Sequence, residues 1–359
     1  VVNPGTALRT LLTDVAVRCV LQYTCLGVHY VPLGEVVSEK TIVNAIIGLL
    51  ATGGSTNHTI HLIAIAKAAG ITIDWDDFCE LSTAVPLLAR VYPNGVADVN
   101  HFHAAGGLAL VVRELLDAGL LHDDVKTILG DGLRRFCVEP FIADDKLEWR
   151  DGPTESLDKE IIASVASPFD QEGGLRLVKG NLGRAVVKIS AVAEEYHSIT
   201  APARVFTSQE DFKRAFNDGE LDTDFVAVLA NQGPAAIGMP ELHKLTPYLG
   251  LLQNRGFKVA LLTDGRMSGA SGKVLSAIQA TPEAARGGAI GKIRDGDMVT
   301  ICAVRGEMSV AADDIESREP GADEIAAHSV GIGRELFQAF RERSTSAEEG
   351  ASFFSGNES

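Results

Sequence analysis

A polar loop that follows an apolar strand is the first part of the chain whose residue types could do chemistry. Residues 259–262 are apolar and lead into Thr-Asp-Gly-Arg-Met-Ser-Gly-Ala-Ser-Gly-Lys at residues 263–273, the Gly/Ser loop. Residues 274–278 have a helix-like pattern, and a strand, a loop and a helix in this order present backbone N–H groups and hydroxyls to an anion. An ordinary glycine-rich connection explains this pattern equally well. The loop is not a Walker A motif, because Met267 replaces the first glycine and a valine follows the lysine.

A second polar loop, the Pro-Glu loop at residues 231–243, follows the predicted strand Phe225–Leu229. It contains Asn-Gln-Gly-Pro and then Gly-Met-Pro-Glu, which ends at Glu241. A glutamate directly after proline can begin a helix as an N-terminal acid, and the local sequence alone favours this interpretation. A carboxylate on a stiff turn could instead bind a metal ion, because hard cations prefer such oxygens.

Two further polar segments lie in the first third of the chain. The Gly-Gly-Ser-Thr-Asn segment (residues 53–57) opens an apolar helix and suits an anion or a polar ligand, although a plain N-cap would explain Ser55 or Thr56. His101 lies in Asn-His-Phe-His (residues 100–103) and could serve binding, but an isolated loop histidine is usually only a surface residue. The chain has no His-x3-His or His-Glu-x2-His spacing that would indicate a metal site.

The elements that position these segments divide the chain into two halves. Apolar residues at helical spacing make the first 165 residues helix-rich, whereas β-branched alternation and turn pairs dominate from Leu175 onward. We therefore predict an α/β protein with a boundary near residue 168 and a flexible tail over residues 346–359. The predicted helices span residues 41–50, 55–69, 108–120 and 208–216, and Ser208 caps the last of them. The predicted strands span residues 186–189, 203–207, 225–229, 259–263, 298–304 and 307–311. Arg305 and Gly306 join the last two strands as a predicted hairpin.

Composition and charge restrict the class of protein. The chain has 359 residues, of which 46% are hydrophobic, and this suits two domains with well-packed cores. A net charge of −16 argues against a nucleic-acid partner, and no apolar run reaches the roughly 18 residues that cross a bilayer. Five cysteines at irregular spacing, without a Cys-x2-Cys pair, argue against a self-contained metal cluster and suit free thiols in a reducing compartment.

Three motifs in this order make the sequence resemble the family of dihydroxyacid and phosphogluconate dehydratases. They are Gly-Gly-Ser-Thr-Asn (residues 53–57), Gly-Met-Pro-Glu (residues 238–241) and Thr-Asp-Gly-Arg-x-Ser-Gly (residues 263–269). The resemblance covers about residues 4–350. It implies that residues 1–165 complete an N-terminal α/β domain and that residues 168–345 form a β-rich, swivelling-type C-terminal domain with flanking helices. It also implies a homodimer in the cytoplasm, with no membrane partner.

The resemblance implies a mechanism in which a 2,3-dihydroxy acid loses water. An iron–sulfur cluster, with [4Fe–4S] favoured over [2Fe–2S], acts as Lewis acid on the departing 3-hydroxyl, and Mg²⁺ binds near the carboxylate and the 2-hydroxyl. By motif, Ser268 is the base that removes the C2 proton as an alkoxide, and Glu241 is a Mg²⁺ ligand. A serine hydroxyl is too weak an acid to ionise alone at neutral pH, so a nearby cation must stabilise the alkoxide.

The family's cluster cysteines and its other Mg²⁺ ligands lie in a region upstream of the motifs present here. We therefore expect no iron–sulfur ligand among the five cysteines of this chain. We also expect the chain, whose first residue is valine, to be the C-terminal part of a longer enzyme and to be inactive on its own.

Several stretches favour the phosphogluconate branch of the family, namely residues 92–95, 98–102, 241–245, 271–273 and 333–337. This branch implies a phosphorylated sugar acid, 6-phospho-D-gluconate, as substrate, and 2-dehydro-3-deoxy-6-phosphogluconate as product, in the Entner–Doudoroff pathway. The substrate-binding candidates are Ser55, Thr56, Asn57, His101, His243, Lys244, Arg266, Ser271, Lys273 and Arg334. Four of them could bind the phosphate or could equally be surface charges: His243, Lys244, Lys273 and Arg334. Another aldonic-acid or dihydroxyacid dehydratase and a non-catalytic module that merely holds an anion remain alternatives.

Overall fold

A computed structural model describes residues 2–268, 272–321, 330–331 and 333–354. The chain forms two compact units. The first unit comprises Val1–Gly53, Ala69–Ile71 and Thr83–Gly173, and the second comprises Gly54–Ala68, Thr72–Ser82 and Gly174–Ser359. Compactness does not test whether a segment folds independently, so the predicted domain division near residue 168 and the predicted flexible tail stay predictions.

The first unit is built mainly of helices, as the apolar spacing predicts. On α3, for example, Ile42, Ile46 and Leu50 recur at helical spacing and are buried. Two antiparallel strand pairs, which the prediction omits, complete the unit. The elements are α1 (Ala7–Tyr23), α2 (Leu33–Val36), α3 (Glu39–Ala51), α6 (Val99–Ala104), α7 (Gly107–Asp117), β1 (Lys126–Thr127), β2 (Gly130–Asp131), β3 (Val138–Ala143) and β4 (Lys146–Asp151).

The second unit contains an eight-stranded closed barrel with the order β10-β6-β5-β12-β11-β7-β8-β9. The pairs β7–β8, β8–β9 and β9–β10 are parallel, and β5 and β12 also pair in parallel. The strands are β5 (Leu175–Gly180), β6 (Gly183–Lys188), β7 (Ser198–Phe206), β8 (Phe225–Leu229), β9 (Val259–Thr263), β10 (Ser276–Thr281), β11 (Met298–Cys302) and β12 (Glu307–Val310). The helices of this unit are α4 (His58–Ala68), most of α5 (Trp75–Ala84), α8 (Gln209–Asn217), α9 (Thr246–Asn254) and α10 (Gln338–Arg343).

Strands β8 and β9 are buried along their whole length, because both of their faces are covered. Alternate residues, such as Val226 and Val228 on β8 and Leu262 on β9, belong to one buried core cluster. Outside the barrel, α8 packs against β7 and α9 packs against β9. A strand buried on both faces reads as a continuous apolar run rather than as an alternation, and this explains why the sequence predicts both strands with correct bounds.

The predicted helix at residues 274–278 is wrong. Residues 276–281 form β10, in which Ala277 pairs in parallel with Leu262 of β9. A short apolar run has no periodicity that separates a buried strand from a helix, and here the neighbouring strand decides the conformation. The helices predicted at residues 41–50, 55–69, 108–120 and 208–216 are confirmed as α3, α4, α7 and α8, with ends that differ by up to three residues.

The mixed α/β class is confirmed, whereas the swivelling-type description of the second half stays a prediction. Residues Ala347–Glu349, which the sequence assigns to the tail, form a 3₁₀ turn that packs against α4. Among the described residues, no helix combines the length and the apolar character needed to cross a bilayer.

Replacing Leu262 by alanine should destabilise the barrel strongly. Leu262 is fully buried in the core, and a Leu→Ala change at such a site costs about 2–5 kcal/mol through lost burial and the cavity left behind. Leu251 on α9 is 49% exposed and provides the matched control, for which we expect less than about 1 kcal/mol. The free energy of unfolding in urea measures both changes, and equal losses would contradict the assigned core.

Candidate active site

Two polar loops start side by side at one end of the barrel. Strands β8 and β9 are adjacent, parallel and in register, with Leu229 opposite Thr263 at their carboxyl ends. The Pro-Glu loop leaves β8 and the Gly/Ser loop leaves β9 at this level. Loops at the carboxyl ends of adjacent parallel strands are the usual place for ligand-binding groups in α/β proteins.

A fully buried carboxylate fixes the start of both loops. Asp264 accepts hydrogen bonds from the backbone N–H groups of Asn231 (3.1 Å), Gln232 (2.8 Å) and Ala284 (2.9 Å). Burial raises the pKa of Asp264, and these backbone hydrogen bonds oppose the rise because they stabilise the charged form. Asp264 of the Gly/Ser loop therefore has a structural role, which the motif alone does not reveal.

The glycine that follows Asp264 is required by close packing. A Cβ atom at Gly265 would lie 2.6 Å from Cβ of Gln232 and 2.7 Å from Cδ1 of Leu242. The backbone N–H of Gly265 donates to Oγ1 of Thr263 at 3.0 Å. The two loops can therefore approach each other closely only with glycine at this position.

The carboxylate of Glu241 joins its own motif to groups from the two other motifs. Its Oε1 accepts the backbone N–H of Ser268, and its Oε2 accepts Nη1 of Arg266 at 3.0 Å and Nδ2 of Asn57 at 3.3 Å. Glu241 also forms an isolated parallel bridge with Arg266. The helix-start interpretation of Glu241 is wrong, because the next helix, α9, begins only at Thr246.

Three residues other than glycine hold left-handed backbone conformations around this site. Asn231, Met239 and Gln279 have φ values of 61°, 53° and 60°. Such conformations cost on the order of 1–3 kcal/mol each and persist where the surrounding contacts enforce them. The carbonyl of Met239 accepts Nε of Arg266 at 2.6 Å, and this contact helps to hold the turn before Glu241.

The Gly-Gly-Ser-Thr-Asn segment is joined to the Gly/Ser loop through buried hydrogen bonds. Oγ1 of Thr56 donates to the carbonyl of Met267, directly before Ser268. The side chain of Gln279 donates through Nε2 to the carbonyl of Thr56 at 3.2 Å. Ser55 has a local role, because its Oγ accepts the backbone N–H of Asn57 at 3.3 Å. The sequence analysis does not predict Gln279, since a single glutamine in an apolar strand gives no chemical signal.

A buried lysine lies at the same site and is also absent from the predicted residues. Lys188 ends β6, and its Nζ donates to the carbonyl of Gly54 at 3.1 Å. Lys188, Thr56 and Ser268 line one small cavity of about 20 Å³, which is room for a single water molecule. Burial lowers the pKa of Lys188 from 10.5 to about 8. Residues 185–188 are all buried without alternation, so the sequence alone gives no signal that Lys188 is buried.

Two candidates near the Pro-Glu loop make exposed, local contacts. His243 and Lys244 are exposed, and Nζ of Lys244 pairs with Oε1 of Glu210 at 3.3 Å. Lys273 is exposed as well, and its carbonyl accepts Nε2 of Gln253 at 3.1 Å. These contacts leave the predicted phosphate-binding roles untested.

The remaining candidates are His101, Arg334 and Ser271. His101 belongs to the first unit, where its Nδ1 is 2.8 Å from Oδ1 of Asp98, the N-cap of α6. Hydrogen bonds lower the pKa of Asp98 to about 2, and the largest contribution comes from the backbone N–H of His101. Arg334 is exposed and precedes a 3₁₀ turn at Glu335–Phe337. Ser271 lies outside the described residues.

Glu241 and Asn57 suit part of a Mg²⁺ site. The amide oxygen Oδ1 of Asn57 is buried and accepts no hydrogen bond from the described residues, while Nδ2 of the same side chain donates to Glu241. A carboxylate and an unsatisfied amide oxygen are ligands that Mg²⁺ prefers. In the described ranges, no group of three or more His, Cys, Asp or Glu side chains could hold a metal ion. These two oxygens would therefore supply only part of a coordination shell.

The described residues do not fit an iron–sulfur cluster. The five cysteines are all free thiols, with Cys137 and Cys302 buried and Cys25 exposed. They form no metal-binding group with one another or with histidine within the described part of the chain. The cluster stays a prediction from the resemblance.

Family models match both halves of the chain. Residues 1–136 match the dihydroxy-acid/6-phosphogluconate dehydratase N-terminal model, and residues 160–351 match the C-terminal model of the same description. The chain therefore belongs to the dihydroxy-acid/6-phosphogluconate dehydratase family.

Individual relatives agree with this assignment. The chain is 56% identical to a phosphogluconate dehydratase of Pseudomonas aeruginosa and 54% identical to one of Escherichia coli K12, in each case over 98% of the chain and 58% of the relative. It is 36% identical to a dihydroxy-acid dehydratase of Sulfurisphaera tokodaii over 77% of the chain and 47% of the relative. The chain thus spans less than two thirds of the length of these relatives.

The buried lysine should make stability depend on pH in a defined direction. Folded Lys188 binds its proton less tightly than the unfolded chain does, because its pKa falls from 10.5 to about 8. Burial of the protonated Lys188 therefore destabilises the folded state below about pH 8, and this destabilisation is relieved as the pH rises towards 10.5. We expect the unfolding free energy of the unsubstituted protein, relative to Lys188→Met, to increase by up to about 3 kcal/mol over this interval.

Urea unfolding of both proteins at about pH 7 and about pH 10 checks this expectation. Subtracting the Lys188→Met value removes the titration of all other groups. Lys179→Met is a matched control, because Lys179 is exposed and pairs with Asp76 at 2.9 Å. A stability difference at position 188 that does not change with pH would contradict the lowered pKa.

Proposed function

We propose that the protein is a hydro-lyase that dehydrates 6-phospho-D-gluconate to 2-dehydro-3-deoxy-6-phosphogluconate, the reaction of the Entner–Doudoroff pathway. The similarity to phosphogluconate dehydratases at 54–56% identity supports this substrate. The weaker similarity to a dihydroxy-acid dehydratase, at 36%, makes the dihydroxyacid alternative less well supported. A cytoplasmic location and a homodimer stay predictions from the resemblance.

The observation that supports catalysis best is the convergence of three motifs on the Glu241 carboxylate. The backbone N–H of Ser268 donates to Glu241, so the hydroxyl-bearing residue and the carboxylate are held next to each other. Arg266 and Asn57 complete the same cluster. A non-catalytic anion-binding loop would need no such carboxylate, because a negative charge at this position repels an anion.

In the proposed reaction, Ser268 takes the proton from C2 of the substrate, the C2–H electron pair forms a C2–C3 double bond, and the 3-hydroxyl leaves as hydroxide. The enol that results becomes the 2-keto acid. Its hydroxyl must first lose a proton, and nearby positive charge lowers the cost of the resulting alkoxide. The chain itself contributes Lys188, which lines the same small cavity as Ser268. Glu241 and Oδ1 of Asn57 would hold Mg²⁺, which supplies further positive charge beside the substrate carboxylate when bound.

The substrate assignment is tested by comparing 6-phosphogluconate with its unphosphorylated counterpart, gluconate. Full-length protein assayed anaerobically with Mg²⁺ should turn over 6-phosphogluconate with a kcat/KM at least about 100-fold higher, because a charge-paired phosphate contributes about 3 kcal/mol. Formation of the 2-keto acid measures both rates. Equal or better turnover of gluconate, or of a branched-chain dihydroxy acid, would exclude the proposed substrate.

Replacing Ser268 by alanine tests the proposed base. Loss of a positioned acid–base group typically lowers kcat by about 10²–10⁴-fold, and we expect a fall in this range with little change in KM. Ser309→Ala is the matched control, because Ser309 lies on β12 and bonds Glu307 at 2.8 Å. Full activity of the Ser268→Ala enzyme would remove Ser268 from the proton transfer.

A further inference from the structure

A fully buried glutamine lies next to the candidate active site. Gln279 belongs to β10, and its relative exposure is 0%. Its neighbours in the strand, Ile278 and Ala280, are apolar and buried. Burying an amide is costly unless both of its ends find hydrogen-bond partners, so the partners of Gln279 indicate what it does.

A β-bulge sets the direction of the Gln279 side chain. Ile278 pairs with Val186 of β6 and Thr281 pairs with Arg184, so β10 contains one residue more than β6 in this interval. Within the bulge, Gln279 has a left-handed φ of 60°. An extra residue of this kind re-aims a side chain, and such strain is typical of functional sites.

The amide of Gln279 joins β10 to the segment at the start of α4. Its Nε2 donates to the carbonyl of Thr56 at 3.2 Å, and its Oε1 accepts Oγ1 of Thr59 at 2.9 Å. The carbonyl of Thr56 can only accept, and this fixes the orientation of the amide. Thr56 and Thr59 are both buried. The side chain of Gln279 therefore holds the segment that carries Asn57.

The backbone of the same glutamine holds the Gly/Ser loop. The N–H of Gln279 donates to the carbonyl of Gly265 at 2.8 Å. Further along this loop, the carbonyl of Met267 accepts Oγ1 of Thr56. These contacts close a ring from Gln279 through Thr56 and Met267 back to Gly265, which we call the buried ring.

Two groups of the proposed reaction follow the buried ring directly in the chain. Asn57 comes after Thr56, and Ser268 comes after Met267. Nδ2 of Asn57 and the backbone N–H of Ser268 both donate to Glu241. A shift of the ring would therefore move the proposed base relative to a proposed Mg²⁺ ligand. A displacement of about 1 Å in an active site can lower a rate by about 100-fold.

We propose that Gln279 is a positioning residue for the dehydration, because the buried ring sets the position of Ser268 relative to Asn57. This inference rests on the proposed function for the roles of these two residues, but the ring itself can be tested without turnover. The alternative is that Gln279 only stabilises the barrel, in which case its loss lowers stability without a specific effect on Ser268.

The first test measures the protection of the Ser268 backbone N–H, which donates to Glu241. Gln279→Met keeps an unbranched side chain of similar size but removes both amide hydrogen bonds. In the full-length protein, the Ser268 amide hydrogen of this variant should exchange at least about tenfold faster, as measured by hydrogen–deuterium exchange and mass spectrometry of overlapping peptides. Unchanged exchange in the folded variant would overturn the proposal.

Ser82→Ala is the matched control for the loss of a buried hydrogen bond. Ser82 is fully buried in the same unit, and its Oγ accepts the backbone N–H of Leu175 at 3.0 Å. The urea midpoint should fall in this variant as in Gln279→Met, whereas exchange at Ser268 should stay unchanged. An equal acceleration of Ser268 exchange in the control would show a general loss of stability and would reject the positioning role.

Gln279→Asn keeps the proposal testable if the methionine variant does not fold. Asparagine tolerates a positive φ better than most residues, so it suits the backbone of the bulge. Its side chain is one methylene shorter, so its amide falls short of Thr56 and Thr59. The same faster exchange at Ser268 is expected, and full protection would count against the buried ring.

The second test uses turnover. Gln279→Met should lower kcat for 6-phosphogluconate by about 10–100-fold and leave KM within about threefold, since the proton transfer rather than substrate binding depends on Ser268. In a Ser268→Ala background, the same change should lower kcat by less than about twofold, because the group that Gln279 positions is already absent. An undiminished effect in that background would mean that Gln279 acts by another route, and the proposal would fail.

The two tests separate this inference from the proposed function. If the full-length protein does not dehydrate 6-phosphogluconate but Gln279→Met loses protection at Ser268, the proposed function fails and the ring still positions Ser268. If the protein is active and Gln279→Met keeps both its kcat and this protection, Gln279 is only structural and the proposed function stands.

Discussion

The buried carboxylate of Asp264 is the constraint on which the site depends. A charge removed from water is costly unless its oxygens are satisfied, and here three backbone N–H groups from different parts of the second unit satisfy them. These bonds fix the ends of β8 and β9 and the segment after β10 relative to one another. The positions of the Pro-Glu loop and the Gly/Ser loop follow from this anchor, so the functional groups rest on the rigid barrel rather than on the loops themselves.

Glu241 uses that rigid base to connect residues that are distant in the sequence. Asn57 of one motif, and Arg266 and the N–H of Ser268 of another, approach its two oxygens. Because one carboxylate accepts all three donors, a change at any of them alters the environment of the others. Arg266 also balances the charge of this carboxylate, because its Nη1 lies 3.0 Å from Oε2 of Glu241.

The sequence predicts the elements whose burial follows a simple period, and it predicts the motifs but not their contacts. Strands β8 and β9 are predicted correctly because both faces are covered, whereas β10 is predicted as a helix because its short apolar run has no diagnostic period. Lys188 and Gln279 are missed because only tertiary packing makes them unusual. His101 is predicted as a substrate-binding residue, and the structure shows it in a local helix cap with Asp98, which leaves the predicted role untested.

The order of strands in the closed barrel has a consequence for how the chain is made in the cell. Strand β5 lies between β6, which follows it directly, and β12, which ends only at Val310. During synthesis β5 must therefore keep one side unpaired until more than a hundred further residues have left the ribosome. An unpaired strand edge invites association with other chains. The nascent protein therefore exposes this strand edge for a long interval of its synthesis.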